Sequence, residues 1–206
     1  MEHYFTKNPT VISEKKEISF NFMNENFKFI TDNGIFSKDH IDDGSMLLLK
    51  YFMKSNEKDN FTMLDIGCGY GVVGIITKKI LKSATITYTD INNRAIELTL
   101  ENIKLNNVDN NCEVFQSDLF ENIKNNFDII ISNPPIRAGK KTIFEIYKNA
   151  YEHLNDNGDF YVVIMTKHGA KSTEKELKNI FNEVKCIGIE KGYRIYKANK
   201  TKNSSN

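Results

Sequence analysis

From Phe61 to Ala198 the chain alternates short apolar runs with longer stretches of helical spacing, and few architectures are compatible with that alternation. Strands are expected at 61–66, 85–90, 111–116, 127–132 and 159–165, with helices near 71–82, 92–105, 140–154 and 169–182. A connection long enough to hold a helix lets the next strand return parallel to the last, so repetition builds a parallel sheet covered on both faces. The ending breaks the rule. Residues 184–190 and 193–198 read as strands joined only by Lys191-Gly192, too close for a crossover, so they form an antiparallel hairpin. The expected fold is α/β, a doubly wound seven-stranded sheet, mostly parallel, with a C-terminal antiparallel hairpin.

Ahead of this core, Glu17 to Phe22 and Asn26 to Ile30 alternate apolar and polar residues around Met23-Asn24-Glu25, which predicts a β-hairpin. Asp42 to Lys54 carries Met46 to Leu49 within helical spacing. Residues 1–60 are thus expected as an N-terminal hairpin and helix extension packed on a core of 61–199. Residues 200–206 are polar and expected to be a disordered tail. With 206 residues in all, one domain is the expectation.

No apolar run approaches the roughly 18 residues of a membrane span, and nothing at the N-terminus resembles a signal peptide, so a cytoplasmic protein without a membrane partner is expected. Cys68, Cys112 and Cys186 are far apart and odd in number, and the four histidines are equally scattered. That pattern predicts reduced cysteines and no metal site. A net charge of +1 gives no whole-molecule argument for nucleic acid, so any basic patch must be local.

The chemistry gathers where strands end. The first core strand leads into Leu64-Asp65-Ile66-Gly67-Cys68-Gly69-Tyr70-Gly71-Val72-Val73-Gly74, whose glycines let backbone approach a ligand before a helix begins. Gly69-x-Gly71-x-x-Gly74 also matches the dinucleotide fingerprint, with Asp90 placed as a ribose-binding acid. Asp65 separates the readings, because a carboxylate before the first glycine suits a cationic ligand such as S-adenosylmethionine and repels a pyrophosphate. Ser117-Asp118-Leu119-Phe120 closes the third core strand. Asp118 there reads either as a helix N-cap or as an acceptor for an adenine amino group, with Leu119 beside the ring.

The fourth core strand runs directly into Asn133-Pro134-Pro135-Ile136. The two prolines stiffen the corner and aim Asn133 off the strand end. Its side-chain carbonyl and the Pro134 backbone carbonyl are two acceptors suited to the N–H groups of an exocyclic amine. A stiff turn without function is the alternative.

Together these residues resemble the class I S-adenosylmethionine-dependent methyltransferases. Gly34-Ile35-Phe36-Ser37-Lys38, Ile41-Asp42-x-Gly44-Ser45 and Arg137-Ala138-Gly139-Lys140 are further similar to the methyltransferase small-domain group, which includes the RsmC-type ribosomal RNA guanine-N2 methyltransferases. The resemblance implies a Rossmann-like sheet and S-adenosylmethionine as cofactor. It implies cofactor contacts from Phe36, Ser37, Asp65, Gly67, Cys68, Gly69, Gly71, Asp90, Ile91, Asp118, Leu119 and Asn133, and a catalytic motif of Asn133, Pro134, Pro135 and Ile136. Many amine-directed relatives carry an aromatic where Ile136 stands, so stacking on a target base would fall to Phe36 or Tyr193.

Arg137, Lys140 and Lys141 follow the fourth core strand, and Lys167 and Lys171 the fifth, at the sheet edge where the cofactor is expected, as candidate contacts for RNA phosphates. The implied activity is methylation of a guanine amine in 16S ribosomal RNA, with ribosomal RNA or the small subunit as partner and a monomer or dimer as the working form. The alternatives are a protein glutamine or small-molecule amine methyltransferase, and a non-catalytic cofactor-binding RNA assembly factor.

Overall fold

The computed structural model describes residues 6–201. Strands β3 (Thr62–Ile66), β4 (Thr85–Asp90), β5 (Cys112–Gln116), β6 (Phe127–Ser132), β7 (Leu154–Met165), β8 (Glu183–Glu190) and β9 (Tyr193–Lys200) form one sheet in the order β5-β4-β3-β6-β7-β9-β8. Strands β3 to β7 pair in parallel, and β9 lies antiparallel between β7 and β8. This is the expected Rossmann-like architecture, seven strands with an antiparallel ending.

Both faces are covered, which is why the central strands are apolar at successive positions. Met63, Ile129, Ile131, Tyr161 and Val163 face one side, against α1 (Asp43–Ser55), α2 (Val72–Ile80) and α3 (Asn93–Leu105). Leu64, Ile130, Phe160, Val162 and Ile164 face the other, against α4 (Gly139–His153) and α5 (Ala170–Ile180). From β3 the chain builds outward through β4 to β5, then returns to the opposite side of β3 as β6. Where the winding reverses, the C-terminal strand ends part and leave a crevice.

Most boundaries shift from expectation by a residue or two, and the start of β7 shifts further. Strand β7 begins at Leu154 rather than 159, because Leu154 pairs with Phe127 before an irregularity, and pairing resumes at Asp159 with Ile129. Lys200 belongs to β9, so the expected tail is shortened, and residues 202–206 of it lie outside the described residues.

The hairpin β1 (Lys16–Phe22) and β2 (Glu25–Thr31) turns through Met23 and Asn24, both at positive φ, as a two-residue hairpin loop requires. Phe27 and Phe29 sink into the first core. The outer edge of β2 pairs with side chains instead of a strand. Asn102 on α3 accepts from the Ile30 N–H at 2.6 Å and donates to its carbonyl at 2.9 Å, while Asn106 does the same with Lys28 at 3.2 and 2.7 Å. Two carboxamides one helical turn apart thus stand in for peptide groups along a strand edge. Nearby, Arg94 of α3 donates to the carbonyls of Asn33 (2.6 Å) and Val11 (2.9 Å), its Nε lying 3.6 Å from the buried Asp32 carboxylate.

Candidate active site

A cleft of about 770 Å³ opens at the C-terminal ends of β3, β4, β5 and β6. Its floor is the loop after β3. Gly67 and Cys68 both donate their N–H groups to the Thr89 carbonyl, at 2.8 and 3.0 Å, which pins the loop to the end of β4. Gly67 and Gly69 lie at φ +70° and +56°, with nothing within 4 Å of where a Cβ would stand, so a ligand can come directly against the backbone. Gly71 differs. A Cβ there would meet Ile75 at 2.8 Å and Thr99 at 3.1 Å, so this glycine serves packing and does not line the cleft.

From behind, α3 holds the loop. Thr99 donates to the Gly69 carbonyl at 2.9 Å and Asn102 to the Tyr70 carbonyl at 2.9 Å. The carboxylate of Asp65 accepts from the Gly74 N–H at 2.9 Å, so an anion already sits at the start of α2. A pyrophosphate at that helix end would meet Asp65, whereas an amino group or sulfonium would be attracted to it. Burial pushes the Asp65 carboxyl up to about 7, partly offset by the Gly74 hydrogen bond and reinforced by Asp90. Asp90 accepts from Gly69 and Asn92, each at 2.9 Å, and burial raises its carboxyl to about 6.

Asp118 is exposed at the rim and lines the cleft, as Leu119 and Ile91 do. The N-cap alternative for Asp118 does not hold, because a turn follows it instead of a helix, and the cap-like bonds there come from Ser117, whose Oγ accepts from Asn122 N and donates to the Leu119 carbonyl. Phe36 and Ser37 also line the cleft, and Tyr70 Oη donates to the Ser37 carbonyl at 3.3 Å, closing that wall.

Asn133, Pro134 and Pro135 form the facing wall, and Ile136 begins a short 3-10 turn, Ile136–Ala138. Arg137 reaches the mouth of the cleft; Lys140, Lys141, Lys167 and Lys171 are exposed nearby but do not line it. Sequence reasoning missed Met165 and Thr142, which also line the cleft, as does His168, a basic residue beside Lys167 after β7. Met165 ends β7 as Asn133 follows β6, so the strand-end rule could have found it. More consequential is the connection between Asn133 and the start of α1. The Asn133 Nδ2 donates to Asp42 Oδ2 at 2.8 Å and to Ser45 Oγ at 3.0 Å. Asp42 is also the N-cap of α1, accepting from Ser45 N at 2.9 Å.

This glycine cradle, with its two carboxylates and an asparagine corner opposite, accompanies a sequence that matches the family described as "Methyltransferase small domain" over residues 26–197. The chain belongs to the methyltransferase small-domain family. Among its relatives, an uncharacterized protein of Bacillus subtilis (strain 168), YbxB, is 41% identical over 97% of this chain and 98% of its own length. The Ribosomal RNA small subunit methyltransferase C of Haemophilus influenzae (strain PittGG) is 32% identical over 84% of this chain. This small-domain chain matches 51% of that relative's length and 53% of the Aliivibrio fischeri (strain ATCC 700601 / ES114) protein of the same name. Among solved structures, the T. thermophilus 16S rRNA N2 methyltransferase RsmC, in complex with AdoMet and guanosine, superposes with a TM-score of 0.82 at 21% identity, covering 93% of this chain and 52% of that one.

The cleft of this small-domain methyltransferase fits S-adenosylmethionine. Its volume lies within the range of cofactor sites, its floor is open backbone, and Asp65 and Asp90 put two carboxylates, groups that can accept hydrogen bonds, into its lining. Among the described residues there is no cluster of three His, Cys, Asp or Glu able to hold a metal ion, and no helix is long and apolar enough to cross a membrane.

Proposed function

We propose that this S-adenosylmethionine-dependent methyltransferase transfers its methyl group to the exocyclic amine of a guanine in 16S ribosomal RNA. The carrying observation is the Asn133 corner, because both hydrogens of its side-chain amine are directed at Asp42 and Ser45, which leaves the carbonyl oxygen as the group available to a substrate. In this reading Gly67, Gly69 and Asp65 hold the methionine end of the cofactor, Asp90 the ribose, and Asp118 with Leu119 the adenine. The cofactor supplies an electrophilic methyl on a sulfonium, so no strong base is needed and alignment dominates the rate. Asn133 Oδ1 and the Pro134 carbonyl accept the two amine hydrogens and aim the nitrogen lone pair. As that nitrogen becomes cationic its N–H groups donate more strongly, so the same two acceptors stabilise the transition state beyond the ground state.

The RNA assignment draws on the names of the curated relatives and on the basic residues at the mouth. Arg137 lines the cleft, Lys140 and Lys141 are exposed on the segment after β6 and Lys167 and Lys171 on the segment after β7, and the Tyr193 ring lines the wall beside Gly44. Tyr193 is the face on which a flipped base would rest. The test is nucleoside mass spectrometry with primer extension on ribosomal RNA from a deletion strain. One N2-methylguanine should disappear and return when the gene is restored. Unchanged RNA, with labelled methyl appearing on a protein instead, would move the activity to a protein amine.

A further inference from the structure

The geometry points to Asp42 as the positioning residue that fixes Asn133 as an acceptor-only group and so makes the site selective for N–H nucleophiles, an inference that rests on the amine-methyltransferase reading above. A side-chain amide is nearly symmetric in shape, and nothing in the Asn133-Pro134-Pro135 backbone tells its oxygen from its nitrogen. The neighbours decide. A carboxylate oxygen only accepts, so the Asn133 atom 2.8 Å from Asp42 Oδ2 must be the NH2 nitrogen. Ser45 Oγ donates to the same Asp42 oxygen at 3.5 Å, which leaves a lone pair for the second Asn133 hydrogen at 3.0 Å. Rotating the amide by half a turn would set its oxygen against a carboxylate, so one orientation alone is compatible with the neighbours. Asn133 can then offer substrate an acceptor and never a donor. An exocyclic amine satisfies it; a carbonyl or ether oxygen in the same place would face lone pair against lone pair.

Two further features fit this role. Asp42 does not stand on β6 but 91 residues earlier in the chain, at the N-cap of α1, so the clamp is built by docking that helix start against the strand end. Gly44 makes the room. A Cβ there would stand 2.8 Å from Asp42 Oδ2, 3.1 Å from Tyr193 Cε1 and 3.4 Å from Asn133 Nδ2, so any side chain would force itself into the clamp and the ring beside it. The carboxylate also polarises the amide it holds, strengthening the Asn133 carbonyl as an acceptor when positive charge grows on the substrate nitrogen.

The competing explanation is that Asp42 merely caps α1. Asp42→Ser separates the two, because serine is as good an N-cap but is too short to reach Asn133. The experiment compares wild type, Asp42→Ser, Ser45→Ala and Asn133→Ala in transfer of labelled methyl to ribosomal RNA from a deletion strain, alongside S-adenosylhomocysteine affinity and melting temperature. The expected result is a fall in kcat of about 100-fold for Asp42→Ser and about 10-fold for Ser45→Ala, with cofactor affinity within twofold. Adding Asp42→Ser to Asn133→Ala should lower the rate no further. A kcat within twofold of wild type in Asp42→Ser, or additive losses in the double variant, would overturn the assignment. A readout without substrate tells failure of the clamp from failure of the RNA assignment. The Asn133 side-chain amide hydrogens, observed by selective nitrogen labelling, should be protected from exchange in wild type and lose protection at least tenfold in Asp42→Ser; unchanged protection would sink the clamp whatever the substrate is.

Discussion

A Cβ on Gly74 would stand 2.1 Å from Cε1 of the buried Tyr88 ring, so the first turn of α2 lies directly on β4 with no room for a side chain. Gly67 and Gly69, a few residues earlier, face open cleft. The two kinds of glycine should fail differently. Gly74→Ala overpacks the core and should lower stability by about 1–3 kcal/mol, with cofactor affinity following only as far as the fold is lost. Gly69→Ala costs about 1 kcal/mol for its left-handed φ but plants a methyl in the open cleft, where the proposed cofactor placement leaves no room for it, so its loss of S-adenosylhomocysteine affinity should greatly exceed its loss of stability. Denaturant unfolding and calorimetric titration on both variants distinguish the cases.

The carboxyls of Asp65 and Asp90 give the cofactor site a pH dependence. Both are raised above the ordinary aspartate value, to about 7 and about 6, so the folded protein holds protons that the unfolded chain has released. Their contribution to stability is therefore complete below about pH 4 and is lost as pH climbs through 6 and 7. In the proposed placement binding runs the other way, because a cationic end held at Asp65 needs that carboxyl ionised. S-adenosylmethionine affinity should rise from pH 5.5 to 8, by at most about tenfold per pH unit for a single group. Asp65→Asn should flatten that rise, weaken binding about tenfold or more, and raise the melting temperature of the free protein at pH 8. A melting temperature of the free wild type that increases across this window would contradict the assignment.

Asn102 carries more than the neighbouring Asn106. It holds both peptide groups of Ile30 and also the Tyr70 carbonyl of the cofactor loop, at 2.9 Å. Asn102→Ala should cost about 2–4 kcal/mol, since each partner left without a bond contributes about 1–3 kcal/mol, and should weaken S-adenosylhomocysteine binding as the loop loosens. Asn106→Ala releases only Lys28 and its own helix, and should destabilise less while leaving cofactor affinity intact. Equal effects on binding from the two would argue against a coupling through Asn102.

Arg94 fastens the N-terminal segment through three contacts with a planar fork that lysine cannot reproduce. Burial by itself would raise the Asp32 carboxyl, but hydrogen bonds from Ser13, Glu14 and Asn33 and the Arg94 charge hold it below its ordinary value. Arg94→Lys should speed amide exchange over residues 8–15 and 32–34 by tenfold or more while the sheet is unaffected. The stability drawn from Asp32 is present above about pH 4 and is lost as pH falls through its depressed pKa, so the same residues should loosen first in acid.

Much of this fold is legible in the sequence because a strand covered on both faces leaves an unmistakable trace. Ile129-Ile130-Ile131 could hardly be anything else, and the short link at Lys191-Gly192 announces the antiparallel ending. The place of β9 between β7 and β8 is not legible, since a hairpin can add to a sheet edge by either strand. Spacing misleads at Gly71, which keeps the motif's interval yet turns its open side towards Ile75 and Thr99. It is silent at Asn102 and Asn106, which read as ordinary polar helix positions until β2 lies beside them. The link from Asp42 to Asn133 is invisible for the same reason: each residue has a sufficient local explanation, a helix cap and a stiff turn, and only the docking of α1 joins them.

The carboxamide edge that α3 offers to β2 also sets an order of events during synthesis. The hairpin leaves the ribosome 72 residues before the Asn102 that completes its outer edge, an interval of about 4–14 s at ordinary elongation rates. A lone two-stranded hairpin is marginal in water, so through that interval β1 and β2 have no settled home. Their arrival on α3 is the moment at which the carbonyl of Tyr70 also acquires its anchor, so the hairpin and the loop beneath the cleft are completed by one and the same side chain.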